Sequence, residues 1–172
     1  MEAYLTSTHK VYEEDTCQGI PTVKAEGCSY QVDNNGVKEL VAGIGNAWVN
    51  YTSEPSAGYK IGPRNSQVAE LMVVNQVTLT AAHNQFKELV IITDSDYVRN
   101  GLVEHLMNWK NQGMLSLNNK PIKHGKLIKS IDDLVTSNEM TIVGALHGDV
   151  IETESLLDEI QVPVVTRSQT QQ

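Results

Sequence analysis

The stretch Ile92-Thr93-Asp94-Ser95-Asp96-Tyr97-Val98 sets a carboxylate where a folded chain can use one. It follows the apolar run Leu89-Val90-Ile91-Ile92 and leads into a helix-like run from Val98 to Trp109. An acid at the C-terminal tip of a buried strand stands where α/β folds place their chemistry. A second acid, Glu70, reads as lying in the first turn of a long helix, pointing inward in an otherwise apolar segment. Buried without a partner it would be costly, so a metal ion or a hydrogen-bond donor is expected beside it. The competing reading is an acid favoured by the positive end of the helix dipole.

These acids need elements to position them. Thr22-Val23-Lys24-Ala25 reads as a first strand, ended by Glu26-Gly27, and Asn35-Gly36 signals a tight turn. Leu40 to Val49 reads as a second strand, with glycines where a backbone or helix approaches closely. Tyr51 to Ile61 suggests a hairpin turn and a third strand. Asn65-Ser66 can cap a long helix from Gln67 to about Gln85. Its apolar residues occupy most of its circumference, the pattern of a helix buried against a sheet. Leu89 to Thr93 is a short apolar strand of the kind found mid-sheet. Helices are expected over Tyr97 to Lys110 and Lys123 to Thr136, separated by a loop rich in Asn and Gly. Met140 to Leu146 reads as a last strand and Glu154 to Gln161 as a short helix. Residues 1–20 are expected to be an N-terminal extension, 21–162 one domain, and 163–172 a polar tail or linker.

A chain of 172 residues, 40% apolar and 20% charged, is long enough for a real core and ordinary for a globular protein. No apolar run approaches the ~20 residues that span a bilayer. Met1 to Lys10 lacks the apolar stretch of a secretion signal. Cys17 and Cys28 have no metal-ligand spacing and read as reduced thiols. An intracellular protein, neither secreted nor membrane-bound, is expected. The net charge of −8 argues mildly against nucleic acid as a partner. Its distribution argues the other way. From His105 through Ile131 there is no acid, and Lys110, Lys120, Lys123, Lys126 and Lys129 lie in that window. Such a strip suits a face that meets phosphates, or else a solvated helix face.

Three segments, "QVAELMVV", "VIITDSDYV" and "NWKNQG…NNKPIKHGKLIKSI", together resemble the ribonuclease H (RNase H) domains of retroviruses and retroelements, the foamy viruses most closely. The resemblance covers roughly residues 22 to 161. It implies an α/β, RNase H-like fold: a mixed five-stranded sheet, three antiparallel strands then parallel ones, flanked by helices. It implies a nuclease that cuts the RNA strand of RNA–DNA hybrids with two Mg²⁺ ions, or Mn²⁺, held by Glu26, Glu70, Asp94 and Asp158. His147, after the last strand, corresponds to a histidine that assists proton movement or product release. Ser95, Asn100, Trp109, Lys110, Lys120, Lys123, His124 and Lys126 are the implied nucleic-acid contacts. The lysine-rich segment resembles a basic protrusion that grips the hybrid. The implied partners are the hybrid itself and a reverse transcriptase or integrase in the same polyprotein.

The sequence departs from the family at its first acid, where Asp-Gly-Ser is usual and Glu26-Gly27-Cys28 stands here. Glutamate is one methylene longer, and a shift of ~1 Å in a catalytic constellation can cost on the order of 10²-fold in rate. The residues before Asp158 also differ, being Glu152 to Ser155. Asp33 could substitute less readily, because it sits in the turn. The alternative is therefore a degenerate module, domesticated or structural, that binds nucleic acid or protein without cutting. An unrelated metal-dependent phosphotransfer enzyme on the same fold has little beyond the carboxylates to support it.

Overall fold

The computed structural model describes residues 19–51 and 56–146. Its sheet has five strands: β1 (Thr22–Asn34), β2 (Val37–Trp48), β3 (Ala57–Gly62), β4 (Glu88–Thr93) and β5 (Thr141–Leu146). They lie in the order β3-β2-β1-β4-β5. The β1–β2 and β2–β3 pairs are antiparallel, whereas β1–β4 and β4–β5 are parallel. Asn35 at φ 56° and Gly36 at φ 83° make the β1–β2 turn, and the Asp33 carboxylate accepts from the Gly36 amide at 2.7 Å. Asn-Gly suits such a turn because both positions need positive φ. Asp33 is thereby a turn residue.

Helix α1 (Ser66–His83) begins where the Asn65 side chain accepts from the Val68 amide at 2.9 Å. Capping of this kind satisfies an amide that the first turn leaves without a carbonyl. Ala69, Leu71, Val73, Val74, Val77 and Ala81 are buried along α1, and the helix lies over β1 and β2 and against α4 (Gly125–Ser137). The core they share takes Val23 and Ala25 from β1, Leu89 and Ile91 from β4, and Ile128, Ile131 and Val135 from α4. Each valine, leucine or isoleucine among them contributes about 1.5–3 kcal/mol when fully buried.

Most expected elements are present, with shifted ends. The larger correction concerns β1, which runs straight through Glu26-Gly27 to Asn34 instead of ending there. Glycine here is a packing device. A Cβ at position 27 would overlap the backbone of Ala69 and Glu70, so β1 and α1 meet at this point. The helix expected over Tyr97 to Lys110 is in three parts: α2 (Asp96–Arg99), a π-helical segment (Asn100–His105) and α3 (Leu106–Asn111). The next helix starts two residues later than Lys123, because His124 takes a left-handed backbone at φ 59°. The expected extension before residue 19, the helix over Glu154 to Gln161 and the polar tail lie outside the described residues, as do His147 and Asp158.

Candidate active site and nucleic-acid interface

Three acids reach one region of the sheet by different routes. Thr22, Val23 and Lys24 of β1 pair with Val90, Ile91 and Ile92 of β4. Keeping that offset carries Glu26 and Asp94 to matching positions two residues beyond the last pair. Asp94 directly follows β4 and is exposed. Glu70 lies on α1 just past its first turn, which holds no acid, and its backbone sits against Gly27. Its headgroup is held as well: the Ser95 hydroxyl donates to Glu70 Oε2 at 2.5 Å. The donor expected beside Glu70 is therefore present. That Glu70 lies beyond the first turn weakens the dipole reading, since the dipole acts within that turn.

Strand alternation sets the remaining geometry. Val23 and Ala25 are fully buried under α1 with Gly27, so Glu26 belongs to the opposite face of β1 and is half-buried. Among the described residues no three His, Cys, Asp or Glu side chains gather as a ready metal-binding group. The donor set is nonetheless all carboxylate oxygen, the type that suits Mg²⁺ or Mn²⁺. In donor type the three acids suit a hard divalent ion, although among the described residues their side chains are not gathered about one point.

The expected nucleic-acid contacts divide into separate groups. Ser95 is buried at 6% exposure, with its hydroxyl engaged by Glu70 and by the Val98 amide at 3.1 Å. It is no surface contact, because a buried hydroxyl bonded on both sides has nothing left to offer a phosphate. Asn100 is half-buried at the start of the π-helical segment. Trp109 packs on the core over Gly101, with the His105 ring 5.4 Å away. Lys110 is tied to Asp132 at 3.0 Å and Lys129 to Asp133 at 2.6 Å. The acids just past the basic window thus fold back and neutralise part of it. Lys120 and Lys126 are exposed and make no ion pair among the described residues. Lys123 donates to a neutral group beside α1, Gln67 Oε1, at 2.7 Å and makes no ion pair among the described residues.

Tyr97, which the sequence alone does not single out, lies between this basic region and Glu70. Its hydroxyl donates to the Lys123 carbonyl at 3.2 Å, and its ring meets His124 edge-on at 6.0 Å. Burial first, and then the Glu70 carboxylate, raise its pKa above the usual 10.0, so it stays a donor. Its position two residues after Ser95 in a strand-to-helix turn was the available signal. The loop between α3 and α4 is closed by a bridge between Leu115 and Pro121 and by Ser116 N–H donating to the Lys120 carbonyl at 2.8 Å.

His124 is held below its ordinary pKa of 6.5, by burial first and then by the Lys123 ammonium. A depressed histidine pKa gives the folded state stability above about pH 6.5 that is lost as pH falls through the lowered value. The melting temperature should fall on acidification below that point, and less steeply in His124→Asn, since asparagine tolerates the left-handed backbone. Equal pH slopes in the two proteins would rule out this source.

The family model for RNase H matches residues 25–149. A ribonuclease H from Aeromonas salmonicida is 28% identical over 91 residues, which is 53% of this chain and 56% of that protein. The chain thus spans about half the length of the curated relatives it matches. Among solved structures, the foamy viral protease-reverse transcriptase in complex with dsDNA is similar at a TM-score of 0.65 and 26% identity, over 83% of this chain and 91% of that one. The same viral protein in complex with RNA/DNA hybrid gives 0.63 at 22% identity, over 87% of this chain and 20% of that one.

Proposed function

This chain belongs to the RNase H family and has its fold, and from that premise we propose that it is a metal-dependent endonuclease of retroviral or retroelement polymerase origin that cuts the RNA strand of RNA–DNA hybrids. The observation that most supports this reading is the 2.5 Å bond from Ser95, the residue after Asp94, to the Glu70 carboxylate. It ties two acids from separate elements into one unit at the open end of β4.

In this reading Glu26, Glu70, Asp94 and Asp158 hold two Mg²⁺ or Mn²⁺ ions. Such ions, when bound, activate a water and stabilise the leaving oxygen. Water adds to phosphorus and the P–O3′ bond breaks, leaving 3′-hydroxyl and 5′-phosphate ends. His147 moves a proton or helps product leave, work that suits an imidazole near neutral pH. Lys120, Lys123 and Lys126 meet phosphates, with Asn100, Trp109, Lys110 and His124 nearby as further contacts. Recognition is of A-form shape and 2′-hydroxyls, not of base sequence. A reverse transcriptase or integrase in the same polyprotein is the proposed partner, and the foamy viral neighbour is itself a protease-reverse transcriptase. Among the described residues no helix is long and apolar enough to cross a membrane. We place the activity inside the cell, where such hybrids arise.

A second reading, a degenerate module that binds without cutting, draws on Glu26 at the first position and on the ungathered carboxylates. Cleavage of a labelled RNA–DNA hybrid with Mg²⁺, with Mn²⁺ and after chelation separates the two. Metal-dependent cutting of the RNA strand supports the enzyme. Hybrid binding without cutting, together with cutting by Glu26→Asp, would identify a silenced nuclease with an intact frame. Binding without cutting in both proteins supports the module.

A further inference from the structure

We propose that Ser95 is a positioning residue that fixes the Glu70 carboxylate for metal binding, using the start of α2 to aim its own hydroxyl. The inference rests on the metal-dependent reading of this site and adds a residue that touches neither metal nor substrate.

Serine carries one hydroxyl proton and two lone pairs. The Val98 amide donates to Ser95 Oγ at 3.1 Å and takes one lone pair. The proton is then directed at Glu70 Oε2, 2.5 Å away. At that length the hydroxyl is a short, directed donor to the carboxylate. The Ser95 backbone is tied too, its amide donating to Thr93 Oγ1 at 3.2 Å. Ser95 is buried at 6% exposure, so water does not compete for the hydroxyl. At the other end, Gly27 lets β1 press on the Glu70 backbone, which therefore has little room to shift. Glu70 is thus constrained at main chain and headgroup, and its Oε1 accepts no hydrogen bond among the described residues. Asp94 joins Ser95 by one peptide bond, so the same residue sets the spacing between two proposed ligands.

A partner that only orients a ligand should act on metal affinity, and outer-shell partners typically change it 10–100-fold. Capping and donation can be separated by substitution. Glycine caps a helix nearly as well as serine but donates nothing, and threonine does both. The experiment titrates the full chain with Mn²⁺, reading free Mn²⁺ by electron paramagnetic resonance, for the parent, Ser95→Gly and Ser95→Thr. Melting temperatures and hybrid cleavage are measured alongside. Ser95→Gly should weaken Mn²⁺ binding at least ~10-fold and move the melting temperature by no more than about 3 °C. Ser95→Thr should stay within about 3-fold of the parent, as the retained hydroxyl requires. Unchanged affinity in Ser95→Gly overturns the proposal, and so does affinity lost equally in both variants along with the fold. A parent that binds no Mn²⁺ overturns it as well. A parent that binds Mn²⁺ but does not cut, with Ser95→Gly still weakened, sinks the nuclease reading and leaves the positioning role standing.

Discussion

Asp94→Asn is expected to remove hybrid cleavage by on the order of 10³-fold while leaving the melting temperature unchanged. The loss follows from the role proposed for the side chain. Lewis-acid stabilisation of a phosphoryl transition state is worth several kcal/mol, and about 4 kcal/mol corresponds to roughly that factor. Asparagine keeps the shape but not the charge that would hold a dication. The unchanged stability follows from the position. Asp94 is exposed after β4 and makes no ion pair among the described residues. Surface changes away from caps, charges and core usually stay within about 0.5 kcal/mol. Initial rates on a labelled hybrid and a thermal melt test both halves. Retained cleavage removes Asp94 from the site, whereas a large fall in melting temperature would show that its role is structural.

Gly27→Ala has the opposite signature, a large loss of stability. The added methyl would overlap the Ala69 carbonyl carbon and the Glu70 amide, which are main-chain atoms that cannot rotate away. Relief requires α1 to lift from β1, opening the layer that holds Val23, Ala25, Ala69 and Val73. Overpacking of a close-packed core typically costs 1–3 kcal/mol, and a backbone clash belongs at the upper end. About 3 kcal/mol corresponds to a fall of roughly 10 °C in a domain of this size. The same displacement would carry Glu70 away from Ser95, so metal affinity and cleavage should drop with stability. A melting temperature within a degree or two of the parent would show that the strand and helix can separate at little cost.

How much of this was legible beforehand differs from element to element. Asn35-Gly36 fixed the first hairpin because the turn needs positive φ at both residues, a local demand that sequence states directly. The apolar run before Thr93 marked β4, and Asn65-Ser66 marked the start of α1, for similarly local reasons. Glu26-Gly27 misled because glycine serves two purposes. It can end a strand or admit a neighbouring backbone, and only the position of α1, about forty residues away, decides which. The π-helical segment left no signal, since its residues differ little in kind from those of an ordinary helix.

Around the candidate site, the places of Asp94 after an apolar strand and of Glu70 on an apolar helix could be read from the sequence. The Ser95–Glu70 bond could not, because it joins residues 25 apart in sequence that only the packed fold brings together. The basic window was also only half readable. An absence of acids between His105 and Ile131 says nothing of Asp132 and Asp133, which the turns of α4 bring back onto Lys110 and Lys129.

The pairing of β1 implies a gradient of protection along a single strand. At Val23 and Lys24 it is flanked by β2 and β4, while from Glu26 to Asn34 the strand ladders give it β2 alone. Local opening becomes easier where fewer ladders must break, so amide exchange should quicken along β1 in the direction of its turn. Glu26 stands near the boundary between these two regimes. Its surroundings combine a rigid base, where β1 is held from both sides, with a looser distal arm. Under the proposed function, the Glu26 carboxylate would take its position from the doubly flanked base of the strand.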